Sequence, residues 1–437
     1  MISPAQRSAL SVSLARASPA VIESAFAAIK PQLQNDVWLA QSNRYRKKAV
    51  LKIKNVGVGA EKHPSLIKYI SASAPLHVAD ASRYLGRALY CLSINDVHSA
   101  RHFAYYAELR AAMSLLACAG IGVFNDAHFV VIGRRQLIRI RERGLGTHAF
   151  VWLAMEDWAK SLHAARVVGS GIRPANQSLA TFVSAAKTGY SISKSLPSWL
   201  AILGLDLQTL SEDVLRRNES TYRPTDLVPI LGRTTKEIRS FLSAMWTTFE
   251  PTALNRFSVI DEQLCRLILE NLLGKEQRGL SLRSVRQIFG AIGIPPASNP
   301  RLQAVLRRKG NQTRDSEIFR LSKVPPRHED PRLHCSMICR GALLIRLALA
   351  AVTGLIGTSG LSPADVIFWI NTYGSRAGIW SLMPSEIIDL WSDVDQALES
   401  VTRLGPSADL YSWLASASRE VVILGEFERV AAWGIAD

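Results

Sequence analysis

Cysteine and acidic residues are both scarce in this chain of 437 residues. Five cysteines are too few for the length, and their odd number leaves one unpaired, which excludes a disulfide-stapled scaffold. With 27 glycines and 19 prolines, the chain is neither collagen-like nor of low complexity. Global disorder is excluded because 48% of the residues are hydrophobic. The length predicts two or three folded domains.

Several motifs that carry chemistry are also missing. No Gly-x4-Gly-Lys-Ser/Thr phosphate loop and no Gly-x-Ser-x-Gly elbow occurs, which disfavours an ATPase or a serine hydrolase. His328, His334, Cys335 and Cys339 are residue types that bind zinc, but they lack the Cys-x2-Cys spacing of a zinc knuckle. We therefore predict no metal site and no cofactor.

One long apolar stretch raises the question of a membrane. Leu347–Ile370 contains Asp365 as its single charge and reaches the length of a spanning helix. Helix breakers interrupt it at Gly354, Gly357, Gly360 and Pro363. These predict two shorter buried helices rather than a membrane span. The first twenty residues contain two arginines and no uninterrupted apolar core, so we expect no secretory signal and a cytoplasmic protein.

Helical spacing of apolar residues dominates the chain and predicts a mostly α, multi-unit helical bundle. The best helical region covers residues 77–120, where the second helix is predicted to end at Gly120. Two segments look like strands of a small hairpin insertion at residues 128–143, because one is β-branched and the other alternates. The segment SEIFRLSK at 316–323 also alternates like a strand.

Changes in composition divide the chain into three predicted units. Residues 1–215 form an N-terminal helical bundle that contains the hairpin. Residues 216–324 form a helical unit, and residues 325–437 form a C-terminal helical unit with an acidic end. From Ser381 to Asp437 there are ten acidic and three basic residues, whereas the whole chain has a net charge of +16.

The excess of 52 Lys and Arg over 36 Asp and Glu favours a polyanionic partner such as DNA or RNA. Three basic groups are the candidate contacts: Arg44, Arg46, Lys47 and Lys48; Arg134, Arg135 and Arg139; and Arg301, Arg307, Arg308 and Lys309. A charge run is also typical of a merely solvated helix face, and that alternative stays open.

The third basic group lies in a segment with its own pattern. Helix SLRSVRQIFGAIG, a turn at Ile294–Pro296, the helix starting at Pro300 and the segment SEIFRLS follow one another within residues 281–323. This order resembles a winged-helix unit. The resemblance implies that the second helix contacts nucleic acid and that a hairpin rests on the backbone.

The helix ARHFAYYAELRAAMSLLACAGIG resembles the central helix of HEPN-type helical bundles, which occur in prokaryotic toxin and phage-defence proteins. A metal-free ribonuclease branch of that family uses an Arg-x4–6-His motif, in which the two side chains flank the scissile phosphate. The resemblance thus implies two candidate catalytic pairs, Arg143 with His148 and Arg327 with His334.

Three hypotheses follow from these patterns. The first is a nucleic-acid-binding, non-catalytic subunit of a prokaryotic defence or mobile-element system, whose defence context comes from the HEPN resemblance. The second is a metal-independent HEPN-type ribonuclease. The third is a scaffold whose helices pack against partner protein subunits, and a homo-oligomer is open under each of them.

Overall fold

The structure is a computed structural model. It describes residues 3–47, 49–54, 61–125, 127–140, 145–222, 232–252, 255–275, 278–309, 317–324, 330, 332–386, 389–404 and 409–436. The predicted residues Lys48, Arg143 and Arg327 lie outside these ranges.

The described chain is mostly helical, which confirms the predicted fold class. Its first helices are α1 (Pro4–Leu14), α2 (Pro19–Ala27), α3 (Lys30–Leu33), α4 (Ala49–Lys54), α5 (Pro64–Ser93), α6 (Val97–Ala119), α7 (Thr147–Trp158), α8 (Leu162–Gly171), α9 (Leu179–Ala186), α10 (Ile192–Ile202) and α11 (Leu207–Tyr222). The later helices are α12 (Thr235–Thr248), α13 (Ser258–Leu272), α14 (Leu282–Ile292), α15 (Pro300–Arg307), α16 (Glu317–Ser322), α17 (Leu333–Thr358), α18 (Ile367–Ala377), α19 (Asp389–Arg403), α20 (Leu410–Leu424) and α21 (Glu428–Ile435). Short 3-10 turns occupy Pro174–Asn176, Pro296–Ser298 and Pro363–Val366.

Three long helices, α5, α6 and α17, form the centre of the hydrophobic core. Small residues allow them to approach closely: a Cβ placed on Gly341 of α17 would lie 3.5 Å from the Cβ of Ala107 on α6. The predicted end of α6 is confirmed, because Gly120 has a φ of 91° and caps the helix in the left-handed conformation.

The predicted hairpin is confirmed and belongs to a larger antiparallel sheet. Strands β2 (Ile121–Phe124), β3 (Ala127–Gly133) and β4 (Gln136–Ile140) form a meander, and the two-residue strand β1 (Glu61–Lys62) pairs with the outer side of β4. The sheet order is therefore β1-β4-β3-β2. Because β1 precedes α5, this pairing brings the N-terminal region of the chain against the hairpin.

The strand prediction for residues 316–323 is wrong, since Glu317–Ser322 is helix α16. Its buried residues are Ile318, Phe319, Leu321 and Ser322, a one-sided helical pattern that packs on α17 and α12. The winged-helix resemblance needed a strand there. The helix–turn–helix order of α14 and α15 is present, whereas residues 310–316 lie outside the described ranges.

The break predicted within Leu347–Ile370 is present, but it lies at Gly360, with a φ of 66°, and at Pro363. Helix α17 continues through Gly354 and Gly357 to Thr358, so the prediction is wrong for these two glycines. This helix is long and apolar enough to cross a bilayer, but its most apolar window is entirely buried in the fold. Two buried arginines on it, Arg340 and Arg346, pair with Asp213 and Asp261 at 2.6 Å. Such internal charge pairing is typical of a core helix in a globular fold.

The predicted units share one hydrophobic core, to which residues of all three contribute. The predicted boundary between residues 215 and 216 falls inside helix α11. The acidic C-terminal helices α19 to α21 pack on α5, α12, α17 and α18. The acidic residues of α19 to α21 therefore lie on a part of the fold other than the sheet.

Candidate nucleic-acid interface

Two of the predicted basic groups meet beside the edge of the sheet. His63, next to β1, links them: its backbone amide donates to the carbonyl of Arg135 at 3.0 Å, and its Nδ1 lies 3.4 Å from Nη2 of Arg44. Asn43 also donates to the carbonyl of Ser65 at 3.0 Å. Residues 41–47 therefore lie against the start of α5, next to the turn between β3 and β4.

We call this surface the basic edge and define it by seven residues: Arg44, Arg46, Lys47, Lys52, Arg134, Arg135 and Arg139. All are exposed except Arg139, which is half-buried. Among the side chains that the structure describes, no carboxylate lies within salt-bridge distance of Arg46, Lys47, Lys52, Arg134 or Arg135. Their charges therefore face solvent uncompensated, as a surface that attracts polyanions requires.

The third basic group lies in a different part of the fold and is partly neutralised. Helix α15 packs on α13 and α14, and Arg301 pairs with Glu262 at 3.1 Å. Glu262 and Glu317 line the groove beside Arg301 and Arg308. Arg307 and Lys309 are exposed at the end of this helix. The structure thus joins the first two groups and leaves the third separate.

The two candidate histidines lie in very different surroundings. His334 on α17 is fully buried, and within the described part of the chain neither of its ring nitrogens has a hydrogen-bond partner. Burial first, and then the charges of Arg101 and Arg233, lower the pKa of His334 to about 3. A polynucleotide has no direct access to this imidazole in the described fold. His148, in contrast, is half-buried at the start of α7.

His148 belongs to a cluster that joins three helices. Its Nδ1 lies 2.7 Å from the hydroxyl of Tyr105 on α6, and its Nε2 lies 3.2 Å from Nη2 of Arg217 on α11. The guanidinium of Arg217 also lies 5.4 Å from the ring centroids of both Tyr105 and Tyr106. His102, one turn before Tyr106, contacts the hydroxyl of Thr221 at 2.9 Å. We call these six residues the histidine–arginine cluster.

The contacts of His148 select one tautomer. A guanidinium can only donate, so Nε2 must be the acceptor and Nδ1 must carry the proton that it donates to Tyr105. Burial first, and then the charge of Arg217, lowers the pKa of both His148 and His102 below the ordinary value of 6.5. Both imidazoles are therefore neutral near pH 7 and can accept a proton.

Sequence reasoning missed Arg217 and the hydroxyl of Thr221, which come from a helix more than sixty residues after His148. The i, i+4 spacing of His102 and Tyr106, with Tyr105 between them, places these residues on one helical face and is a usable signal in the sequence. Sequence reasoning also missed His63 as the link between the two basic groups. No local pattern marks these partners, because each contact joins residues that are distant in the chain.

The length of strand β4 separates the basic edge from the histidine–arginine cluster. Arg135 and Gln136 lie at one end of β4, and four residues later the strand ends at Ile140, toward His148. At a strand rise of about 3.4 Å per residue, this length is roughly 14 Å. His128 of β3 connects the far end to α7, because its Nε2 lies 3.1 Å from the carbonyl of Leu145 and its ring stacks on Phe150 at 3.9 Å.

Comparison with known proteins adds no relative. No family model matches the chain, and neither a curated protein nor a solved structure shows significant similarity to it.

Proposed function

We propose that this protein binds nucleic acid through the basic edge, as a subunit of a prokaryotic defence or mobile-element system. The observation that carries the proposal is the convergence of Arg44, Arg46, Lys47 and Lys52 with Arg134 and Arg135 on one surface. Among the described side chains, no carboxylate lies within salt-bridge distance of Arg46, Lys47, Lys52, Arg134 or Arg135. The defence context rests on the HEPN resemblance alone. The phosphate backbone is the natural partner for such a surface because counterion release drives its binding.

The position of the acidic C-terminal helices supports this choice of surface. Helices α19 to α21 pack on α5, α12, α17 and α18. Nucleic acid at β4 would therefore not have to displace them, and their negative charge would repel it from another face. The α15 group contributes less, because Arg301 is already paired and acidic residues line its groove.

Salt dependence provides the direct test. Fluorescence anisotropy would follow a mixed-sequence, single-stranded RNA 20-mer with 5′- and 3′-hydroxyl ends, titrated with protein between 50 and 200 mM NaCl. If five of the seven cations contact phosphates, the logarithm of affinity should fall with a slope of about −3.5. This slope corresponds to a loss of affinity of roughly 100-fold over that range.

Two double variants locate the site. Arg134→Gln with Arg135→Gln should reduce the slope by about 1.4, because two phosphate contacts are lost. Arg307→Gln with Lys309→Gln removes the same charge from α15 and should leave the slope unchanged. Equal effects of both pairs would mean that attraction is spread over the whole protein and would refute the basic edge as the site.

A second candidate function, a metal-independent ribonuclease, is favoured by the histidine–arginine cluster. A neutral His148 takes the proton of a ribose 2′-hydroxyl, and the 2′-oxygen attacks phosphorus to form a 2′,3′-cyclic phosphate. The P–O5′ bond breaks in the same step, and the departing 5′-oxygen takes a proton from water. Arg217 could turn from Nε2 of His148 to the phosphate and stabilise the charge that develops on its oxygens. The lowered pKa of His148 makes the base available throughout the neutral range.

Cleavage in EDTA tests this candidate. Wild-type protein should cleave a fluorescent RNA, and the rate should not rise between pH 7 and pH 8, since the base is already unprotonated. His148→Ala should abolish cleavage, whereas Arg403→Gln, on the exposed ion pair of α19, should not change it. Equal cleavage by wild type and His148→Ala would assign the activity to a contaminant and remove the candidate.

A further inference from the structure

A cavity in the basic edge has an unusually uniform lining. Its volume is about 380 Å³, and it is lined by Gln41, Asn43, Arg44, Arg46, Lys47 and Lys52. Four of these six residues are cationic, two are amides, and no carboxylate is among them. By liquid volume the space holds about a dozen waters, which is enough for a phosphate group and part of its sugar.

One of the four cations is already held in position. Nη2 of Arg44 donates to the hydroxyl of Tyr45 at 2.6 Å, and its guanidinium carbon lies 4.9 Å from the centroid of the Tyr45 ring. Tyr45 is only 1% exposed and packs against Tyr69. Because the phenol is fixed in the core, Arg44 loses little conformational freedom when it binds an anion.

The positive charges of the other three cations of the cavity are available to bind an anion. Arg46, Lys47 and Lys52 are exposed, and no described carboxylate lies within salt-bridge distance of them. Concentrating four positive charges around one concavity costs electrostatic self-repulsion, which an anion of high charge relieves most. A phosphomonoester carries a charge of about −1.5 to −2 near pH 7, whereas an internal phosphodiester carries about −1.

We propose that this cavity binds the terminal phosphomonoester of a nucleic-acid strand, while the rest of the basic edge contacts the internal backbone. The inference rests on the proposed function, because the strand reaches the cavity along Arg134 and Arg135. It adds a preference for phosphorylated ends to an otherwise sequence-independent interaction. The exposed amide of Gln41 supplies a neutral donor for the remaining phosphate oxygens.

The test compares ends of the same RNA 20-mer by anisotropy at 100 mM NaCl. Probes carry a 5′-phosphate, a 3′-phosphate or hydroxyls at both ends. One of the phosphorylated probes should bind at least fivefold more tightly than the hydroxyl probe. Arg46→Gln with Lys52→Gln should remove this preference. Arg134→Gln with Arg135→Gln should weaken all three probes and keep it.

The outcomes separate this inference from the proposed function. If the wild-type protein binds all three probes with equal affinity and a steep salt dependence, end recognition is refuted while nucleic-acid binding is supported. Loss of the preference in the Arg134→Gln, Arg135→Gln pair would place end recognition outside the cavity and overturn it too. Inorganic pyrophosphate is the probe for a free-phosphate ligand. If it binds as tightly as the phosphorylated strand, a small anion is the ligand and the strand-end proposal fails.

Discussion

Neutralising Glu108 should stabilise this protein, and the gain should grow with pH. Glu108 on α6 is fully buried and lies beside Asp213 of α11. Both carboxyls contact Arg340, whose Nη2 lies 2.6 Å from Asp213 and whose Nε lies 3.5 Å from Glu108. One positive charge does not balance two buried carboxylates. Burial first, and then the charge of Asp213, raises the pKa of Glu108 well above its ordinary value.

The sign and the size of this pH dependence follow from the linkage between proton binding and folding. A glutamate in the unfolded chain ionises near pH 4.3. Because folding raises the pKa of Glu108, its contribution to stability is fully present below that pH and is lost as the pH rises through the folded pKa. Each pH unit in this window costs the folded state about 1.4 kcal/mol. Glu108→Gln has no proton to lose and keeps a donor for Asp213, so it escapes this cost.

Urea denaturation at pH 5, 6 and 7, followed by tryptophan fluorescence, measures the effect. The free energy of unfolding of Glu108→Gln minus that of wild type should increase with pH over this range, by about 1.4 kcal/mol for each pH unit in which the folded protein keeps Glu108 protonated. The matched control is Glu399→Gln, which removes an exposed carboxylate from the pair with Arg403 and should stay within about 1 kcal/mol throughout. A difference for Glu108→Gln that is constant over this pH range would show that Glu108 is ionised in the folded protein and would refute the reasoning.

The remaining predictions concern stability and use the same denaturation assay. Arg340→Met should lower the free energy of unfolding by about 3–5 kcal/mol because it leaves buried carboxyls without their cation, whereas Arg403→Met should cost less than about 1 kcal/mol. Thr234→Ala removes the capping box of α12 and should lower the free energy of unfolding by about 1 kcal/mol; no loss would mean that water replaces the cap. Gly120→Ala should lower the free energy of unfolding by about 1–2 kcal/mol because residue 120 has a φ of 91°. Gly354→Ala lies in a helix with open space around it, so it should leave the free energy of unfolding unchanged or raise it. Equal effects of the two glycine substitutions would contradict the conformational argument.

Local patterns predicted the elements whose formation depends on neighbours in the chain. The end of α6 at Gly120 and the hairpin of β3 and β4 are both confirmed. The prediction for residues 316–323 was wrong because the spacing of apolar residues in a segment this short fits both a strand and a short helix. Contact with α17 and α12 selected the helix.

The same distinction between local pattern and tertiary packing applies to the candidate sites. The sequence by itself supplied the basic runs and the choice of His148 as a candidate. Only the tertiary structure decided that His148 meets Arg217, that His334 is buried, and that His63 joins two basic groups. The physical reason is that charge and periodicity are properties of neighbouring residues. The approach of two distant side chains, in contrast, depends on how whole helices and strands pack, which is the sum of many weak contacts spread along the chain.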